Sequence, residues 1–141
     1  MSDVQTGSCL CGACTLTAKP APEAGTCHCS MCRKFSGGMF IGVQCGDTLR
    51  FDDGAPVKVY KSSDWGERLF CGACGSTIAW RSADGKMSAV SVMLFDDPGQ
   101  FPVVSEIFHD EKPASYALAG ETHKMTGAEV LAMFAPPEEG A

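Results

Sequence analysis

Cysteine is the residue that most constrains this chain, because nine of its 141 residues are cysteines and most of them are grouped. They fall into CLCGAC at residues 9–14, CHCSMC at residues 27–32, a single Cys45, and CGAC at residues 71–74. The N-terminus shows no basic segment followed by an apolar one, so we expect no secretory signal and a reducing, cytoplasmic location. An odd number of thiols in that compartment favours metal ligation or thiol chemistry over disulfides.

The CGAC segment predicts half of a closed structural metal site. Its cysteines stand at C-x-x-C spacing beside glycines, and small residues let backbone N–H groups turn toward sulfurs that bind one ion. A structural zinc takes four ligands, and the CLCGAC segment offers the missing pair. We therefore predict a structural zinc on the four-cysteine cluster, defined as Cys9, Cys11, Cys71 and Cys74. Because structural zinc contributes roughly 10–16 kcal/mol in small peptides, this site would supply much of the folding free energy.

Other interpretations of these cysteines stay open. CGAC is also compatible with a redox dithiol or with two buried thiols. Cys14 could replace Cys9 or Cys11 as a ligand, although its place at the start of the segment ACTLTAK favours a small packing residue. Cys45 ends the segment MFIGVQC, and isolated cysteines are more often buried small hydrophobes than ligands.

The CHCSMC segment predicts a second metal site with three protein ligands. Its C-x-C-x-x-C spacing lets three thiolates face one ion from a single tight loop, and we call Cys27, Cys29 and Cys32 the three-cysteine cluster. Three protein ligands plus one exchangeable position are typical of catalytic zinc. The alternative is a second closed structural site, completed by His28, Cys45 or His109. Because His28 lies between two ligands, we expect it to point away.

An open zinc on three thiolates favours thiol chemistry over hydrolysis. Three thiolates leave the ion with a formal charge of about −1, so it is a weaker Lewis acid than zinc held by neutral histidines. A thiol is a soft ligand that suits this ion, and coordination deprotonates it while leaving it nucleophilic. The chemistry that follows is formation or cleavage of a carbon–sulfur bond, with a low-molecular-weight thiol attacking an electrophilic carbon or leaving from its adduct.

Charged residues near the loop and in the last third of the chain are candidate accessory groups. Arg33 and Lys34 follow the loop directly and could offset the negative charge of the cluster or hold a substrate carboxylate, with Arg33 the candidate for substrate binding; the alternative is that both are a solvated basic pair. Glu106, His109 and Asp110 are the other candidate acid–base groups.

The remaining pattern predicts a mainly β protein. Short segments rich in β-branched and aromatic residues alternate with Gly, Pro, Asp and Ser clusters. Eight candidate strands are Leu16–Lys19, Met39–Gln44, Thr48–Phe51, Val57–Lys61, Arg68–Phe70, Thr77–Trp80, Met87–Leu94 and Val104–Phe108. The glycine-containing segments 52–56 and 82–86 are predicted to join neighbouring strands as hairpin turns. The capping-box spacing of Thr126 and Glu129 predicts one short C-terminal helix over Gly127–Phe134.

Length and charge limit the number of domains and the partners. The chain is predicted to be a single domain over residues 1–134, followed by a flexible C-terminal tail at residues 135–141, whose prolines and acids bury too little to order. A net charge of −6, with only 11 Lys and Arg, argues against nucleic acid as a partner. No apolar run approaches the roughly 18 residues that span a bilayer, so no membrane insertion is expected.

Three blocks of sequence together resemble one family. GSCLCGA, CHCSMCRKFSG and RLFCGACGS occur in the order found in the glutathione-dependent formaldehyde-activating enzyme (GFA) family, which shares its domain with centromere protein V. The blocks lie between residues 7 and 76. The resemblance implies a zinc-stabilised β-sheet fold of the Mss4-like type. The chain departs from the family pattern at Glu106, where histidine is common, and at Ser115, where a tryptophan is expected.

The resemblance also implies an activity and its cofactors. Carried over residue by residue, it implies two zinc ions per chain, a structural one on the four-cysteine cluster and a catalytic one on the three-cysteine cluster. It implies a carbon–sulfur lyase that interconverts glutathione plus formaldehyde and S-hydroxymethylglutathione, with a small thiol or its aldehyde adduct as the substrate. The alternative function is a zinc-stabilised binding module in which both sites are structural and nothing is catalysed.

Overall fold

Short strands make up most of the structure, and the prediction of a mainly β protein with a short C-terminal helix is confirmed. The computed structural model describes residues 3–134. In chain order the strands and α-helices are β1 (Gln5–Ser8), β2 (Thr15–Ala18), β3 (Ala24–Cys27), α1 (Ser30–Ser36), β4 (Phe40–Gln44), β5 (Arg50–Phe51), β6 (Val57–Ser63), β7 (Gly66–Cys71), β8 (Thr77–Ser82), β9 (Ser88–Ser91), β10 (Val103–Ile107), β11 (His123–Lys124) and α2 (Gly127–Phe134). Three short 3₁₀ helices cover Val92–Leu94, Pro98–Gln100 and His109–Glu111.

Close contacts between Cα atoms group the chain into two units. Among the described residues, the first comprises residues 3–24 and 41–103, and the second comprises residues 25–40 and 104–134. The predicted flexible tail, residues 135–141, lies outside the described residues. The prediction of a single domain therefore stays a prediction.

The first unit contains two antiparallel arrangements of strands. One has the order β1-β2-β5, with Leu16 opposite both Gly7 and Phe51. The other runs β4-β9-β8-β7-β6, with Ala79 opposite Leu69 and Val90. In β2 and β9, fully buried residues alternate with half-buried ones, as expected for strands with one buried face. The resulting core includes Leu16, Val43, Leu69, Ile78, Ala79 and Val90, each at most 1% exposed.

The second unit carries the CHCSMC segment. Strand β3 leads into it, and His28 N–H donates to the Ile107 carbonyl at 3.1 Å, which ties the segment to the end of β10. Strand β11 runs parallel to β10, with Lys124 opposite Glu106. Helix α2 has the predicted bounds.

The capping box of α2 is present as predicted. Thr126 N–H donates to Glu129 Oε1 at 2.8 Å, and Glu129 N–H donates to Thr126 Oγ1 at 3.1 Å. Each side chain therefore satisfies a backbone N–H that the first helical turn leaves free.

Two local predictions were wrong in part. The turn at residues 82–86 joins the paired strands β8 and β9, with Gly85 at φ 76°, as expected for a hairpin. Residues 52–56 contain a similar glycine, Gly54 at φ 81°, but β5 pairs with β2 and β6 pairs with β7, so this turn changes sheets. The CHCSMC segment was predicted to be a loop throughout, but its second half is helical, because helix α1 begins at Ser30 and includes Cys32.

Candidate metal centres

The four-cysteine cluster exists as predicted, with all four sulfurs within 4.8 Å of one another. The Cys9 and Cys11 sulfurs lie 3.7 Å apart, and the Cys11 and Cys71 sulfurs lie 3.8 Å apart. A tetrahedral zinc with Zn–S bonds of about 2.3 Å requires sulfurs about 3.8 Å apart. The donor set therefore fits a zinc ion in both ligand type and spacing.

Two tight turns aim these sulfurs at a common point. Backbone N–H groups of Ala73 and Cys74 donate to Cys71 Sγ at 3.3 and 3.4 Å, and the turn closes where Gly75 N–H donates to the Cys71 carbonyl. In the first segment, Cys14 N–H donates to Cys9 Sγ at 3.3 Å. Such N–H donors stabilise negative charge on sulfur, so the backbone is arranged for thiolates.

The protonation pattern of this cluster also favours a cation. The hydroxyl and backbone N–H of Ser76 lower the pKa of Cys74 to about 5. A backbone N–H at Ala13 favours the thiolate of Cys11, but the neighbouring Cys74 sulfur and loss of hydration outweigh it and raise the pKa of Cys11 to about 11. Crowded thiols cannot all ionise together unless a positive charge compensates them. A bound metal ion supplies that charge.

The two remaining cysteines of the first unit belong to neither cluster. Cys14 is fully buried, and burial raises its pKa to about 12. Cys45 is 2% exposed, and burial likewise raises its pKa to about 12. Both therefore favour the neutral thiol that packs in a hydrophobic core.

The three-cysteine cluster is buried and spans a strand end and a helix start. All three sulfurs lie within 4.8 Å of one another. Cys27 ends β3, Cys29 is the N-cap of α1, and Cys32 lies in its first turn. The Cys32 N–H donates to Cys29 Sγ at 3.3 Å, so one sulfur also caps the helix. This capping explains why a C-x-x-C spacing here folds as a helical turn.

These three thiols also need a cation to ionise together. Contact with the Cys29 sulfur, then with the Cys32 sulfur, and burial raise the pKa of Cys27 far above its ordinary value. A third negative charge in a buried group of sulfurs is strongly unfavourable without compensation. The donor set therefore fits a soft metal ion such as zinc, although the sulfurs by themselves do not distinguish zinc from iron.

No fourth side-chain donor joins this cluster among residues 3–134. A search for His, Cys, Asp and Glu ligand atoms within 4.8 Å of one another finds these three cysteines alone at this position. The alternatives considered from the sequence, His28, Cys45 and His109, are therefore not placed as ligands. Three candidate sulfur ligands without a fourth among these residues fit the three-ligand pattern of a catalytic zinc site.

His28 points away, as expected, and is engaged elsewhere. It is fully buried, and its Nε2 lies 2.8 Å from Glu106 Oε1. The other carboxylate oxygen of Glu106 accepts a hydrogen bond from the Thr122 hydroxyl and lies 3.7 Å from Lys124 Nζ. Burial opposes ionisation of Glu106, but the hydrogen bonds from Thr122 and His28 prevail and lower its pKa. Glu106 is therefore a buried carboxylate paired with an imidazole.

The other charged candidates brace the segment or a helix. Arg33 Nε donates to the His28 carbonyl at 2.9 Å, while Lys34 is exposed. Asp110 Oδ1 accepts from Gly127 N–H at 2.8 Å at the start of α2. His109 Nε2 lies 3.9 Å from Glu106 Oε1. The sequence named these residues as candidates without giving their distances from the loop and without separating bracing from reaction.

Sequence reasoning missed three participants in this region. Glu111 Oε1 accepts from Ser30 N–H at 3.0 Å and so caps α1 from a distant part of the chain. Thr122 holds Glu106, and the Tyr116 ring lies 6.1 Å from the His28 ring, centroid to centroid. Each is separated by many residues from its partner or lacks a motif. The only signal was Glu106 itself, which stands where the family pattern has histidine.

The fold and the sulfurs define a cysteine-rich β protein with two clusters that could each hold a metal ion. Residues 4–111 match the sequence profile of the family described as glutathione-dependent formaldehyde-activating enzyme, and the chain belongs to this family. It is also 31% identical over 127 residues to an uncharacterised lyase of Schizosaccharomyces pombe, covering 89% of this chain and 93% of the relative. A crystal structure of a Rhodobacter sphaeroides protein shares the fold, with a TM-score of 0.57 and 23% identity over 70% of this chain and 99% of that chain.

Proposed function

We propose that the protein is a zinc-dependent carbon–sulfur lyase that acts on a glutathione-type thiol adduct. The observation that carries the proposal is the three-cysteine cluster, which gathers three buried sulfurs and, within residues 3–134, no fourth His, Cys, Asp or Glu donor. A structural zinc site has four protein ligands, whereas a catalytic site has three and leaves one position for water or substrate. The family and the relative named as a lyase support the reaction class.

The residues of the second unit have separable tasks in this proposal. A zinc ion held there would keep a substrate thiol deprotonated at neutral pH. Cys27, Cys29 and Cys32 hold the ion, and their burial keeps water from competing for it. Arg33 braces the loop through the His28 carbonyl, and the rest of its guanidinium is proposed to meet a substrate carboxylate.

The adduct proposed is S-hydroxymethylglutathione or a close analogue. In synthesis the thiol sulfur forms a bond to the carbonyl carbon, the C=O π pair moves to oxygen, and the thiol proton ends on that oxygen. Cleavage reverses these changes, so no oxidant or reductant is needed. Support for glutathione and formaldehyde comes from the family description.

The test measures the rate at which S-hydroxymethylglutathione forms and breaks down at equilibrium. Exchange NMR compares zinc-loaded wild-type protein with Cys29→Ser and with the spontaneous reaction. Serine is chosen because it keeps an oxygen acceptor for the Cys32 N–H that caps α1. We expect acceleration by the wild type and none by the variant.

A second measurement addresses the free position directly. X-ray absorption of the zinc protein, with and without glutathione, should show added sulfur coordination at one of the two sites. Four protein ligands at both sites, with no change on adding thiol, would contradict the proposal and favour the zinc-stabilised binding module.

The cellular location and the partners of the protein are proposed on fewer observations. Within residues 3–134, no helix has both the length and the apolar character needed to cross a membrane. The cytoplasmic location and the exclusion of nucleic acid stay predictions that rest on the thiols and on the net charge of −6.

A further inference from the structure

Strand β6 is the edge of its sheet, and its outer side has no partner strand among residues 3–134. It is the last strand in the order β4-β9-β8-β7-β6 and pairs with β7 alone. It has seven residues, and four consecutive ones, 58–61, are exposed, whereas most of β7 beside it is buried. A strand of this length with a bare edge is a template on which another chain can pair.

The hydrogen bonds at the start of β6 show which of its backbone groups face outward. Gly72 N–H donates across the strand pair to the Pro56 carbonyl at 2.7 Å, whereas Val57 N–H turns away from β7 to the carbonyl two residues before it, at 2.8 Å. In an antiparallel pair, residues bonded to the neighbouring strand alternate with residues whose N–H and C=O point outward. The N–H and C=O groups of Val59 and Lys61 therefore face outward, while the residues between them bond to β7.

The side chains of this edge are cationic and apolar. Lys58 and Lys61 project on opposite faces of the strand, because they are three residues apart. Between them, Val59 is 51% exposed and Tyr60 is 65% exposed. Glu67 lies opposite Lys61 but is paired with an arginine on β8, so it does not neutralise the edge.

An aromatic row continues from the edge across one face of the sheet. Tyr60 lies opposite Arg68, which in turn lies opposite Trp80. Trp65, in the turn between β6 and β7, is 53% exposed, and its ring centroid lies 5.9 Å from that of Trp80. Tyrosine, tryptophan and arginine are enriched where proteins bind one another. The composition of this surface therefore favours a protein as the partner.

The charge around β6 is opposite in sign to that of the chain as a whole. Residues 57–82, which carry β6 to β8, contain four cationic side chains, at positions 58, 61, 68 and 81, and two acidic ones, at positions 64 and 67. The whole chain has a net charge of −6. A locally positive surface selects a partner segment of negative charge. It also disfavours a second copy of this chain, because pairing of two β6 strands would place four lysines on one short ladder.

We propose that β6 is a docking edge for an extended, acidic segment of a partner protein, which adds to the sheet as a further strand. The outward backbone groups of Val59 and Lys61 supply the main-chain hydrogen bonds, and the two lysines attract the acidic side chains. Tyr60 and Val59 give apolar contacts to alternate residues of the segment. The proposal is independent of the proposed catalytic function, because it uses no residue of either cysteine cluster.

The test uses the zinc-loaded full chain and, as the probe, a capped heptapeptide of alternating glutamate and valine. The control peptide has lysine in place of each glutamate. Amide hydrogen exchange measured by NMR reports which backbone groups of the protein the peptide covers. At a concentration ten times its Kd, we expect the glutamate peptide to slow exchange of the Val59 and Lys61 amides about tenfold. The lysine peptide should leave both amides unchanged.

A pair of double variants tests the role of charge. Lys58→Glu combined with Lys61→Glu should raise the Kd of the glutamate peptide about tenfold or more and should admit the lysine peptide. The matched control combines Lys19→Glu with Lys86→Glu, which changes the net charge equally at two exposed lysines outside residues 57–82. The control should bind the glutamate peptide as the wild type does.

Three results would overturn the proposal. Binding of the glutamate peptide without slower exchange at Val59 and Lys61, or no binding at all, would show that no strand is added. Equal effects of the two peptides, or equal weakening in the two double variants, would remove the requirement for an acidic segment. Exchange at these amides that slows with rising protein concentration, without peptide, would show that a second copy of the chain occupies the edge instead.

Discussion

The two cysteine clusters differ in the number of their sulfurs and in the parts of the chain that supply them. The four-cysteine cluster takes a pair of sulfurs from each of two turns more than 50 residues apart, and its sulfur spacing already suits a tetrahedral ion. The three-cysteine cluster takes all its sulfurs from six consecutive residues. The first arrangement joins distant parts of one unit, whereas the second adds little to tertiary structure. This difference is the one expected if, as proposed, one cluster maintains the fold and the other is available for chemistry.

The clusters also differ in whether the polar groups of their surroundings have hydrogen-bond partners. In the four-cysteine cluster, backbone N–H groups face the sulfurs and Cys74 has a pKa of about 5. In the segment of the three-cysteine cluster, the buried Thr26 Oγ1 and His28 Nδ1 have no hydrogen-bond partner, and His28 is paired with the buried Glu106. A finished structural site satisfies its polar groups, whereas a binding site leaves some for its ligand.

The largest expected effect is loss of the fold in Cys71→Ser. Removing one of four ligands should release a metal worth roughly 10–16 kcal/mol, which is as large as the roughly 5–15 kcal/mol stability of an ordinary domain. Circular dichroism during heating should show no cooperative transition. Cys29→Ser should instead unfold within a few degrees of the wild type, with one zinc fewer per chain by elemental analysis.

Cys45→Ala is the control for cysteine removal in the same unit. Cys45 is buried but belongs to neither cluster, so this variant should keep both metals and lose only about 1 kcal/mol. A folded Cys71→Ser protein with an unchanged melting temperature would break the comparison between the clusters.

The sequence predicted the sulfur partners better than the backbone that carries them. The four-cysteine cluster followed from two short spacings and the ligand count of zinc, because those rules are local. Strands β1 and β3 were missed, since QTGS and AGTC lack the alternation of large apolar residues that marks a strand. Tertiary pairing, not propensity, holds these segments extended.

The remaining errors share one physical origin. Helix α1 was read as loop because seven residues give too little periodicity to detect. Glu106 and His28 lie 78 residues apart, and no local rule relates a buried carboxylate to its partner at that distance. The turn at residues 52–56 has hairpin chemistry, but which strand pairs with which is decided by packing. The sequence therefore did not predict the contacts between residues that lie far apart along the chain.

A matched pair of glycines tests the rigidity of the strand before each cluster. Gly7 and Gly25 each lie two residues before the first cysteine of a cluster. A Cβ at Gly7 would lie 2.6 Å from the Leu94 backbone oxygen, whereas a Cβ at Gly25 would lie 2.6 Å from the Ser105 side-chain oxygen. A side chain can rotate away and a backbone cannot. We expect Gly7→Ala to cost about 1–3 kcal/mol in urea unfolding and Gly25→Ala less than about 1 kcal/mol.

Equal costs for the two alanine variants would show that both strands are equally constrained. A larger cost at Gly25 would reverse the comparison, since the second unit would then be the more rigid of the two near its cysteines.

Acidification should release metal from the two clusters in a set order. Metal binding needs thiolates, so a thiol with a raised pKa lets protons displace the metal at a higher pH. Neighbouring sulfurs and burial raise the pKa of Cys27 far above its ordinary value. In the four-cysteine cluster the pKa of Cys11 is raised only to about 11, while those of Cys9 and Cys74 are lowered, the latter to about 5. As the pH falls from 8, the three-cysteine cluster should lose its metal first, by at least one pH unit, or about 1.4 kcal/mol per proton. Zinc release into a colorimetric chelator measures both steps.

Assignment of the two steps uses Cys29→Ser, which should lack the step at higher pH. A single step in the wild-type protein, or the reverse order, would contradict the assignment of preformed thiolates to the four-cysteine cluster.

The smallest expected effect concerns the second cap of α1. Glu111 Oε1 accepts from Ser30 N–H at 3.0 Å, so Glu111→Ala should cost about 1 kcal/mol and loosen the helical turn that carries Cys32. Thr126→Ala removes a cap of similar worth from α2, which carries no cysteine. Both variants should lose similar stability in urea, but only Glu111→Ala should weaken the metal of the three-cysteine cluster in competition with a chelator. If both variants hold this metal as tightly as the wild type, the sulfurs of Cys27 and Cys29 set the affinity and the helix serves only to bring Cys32 into range.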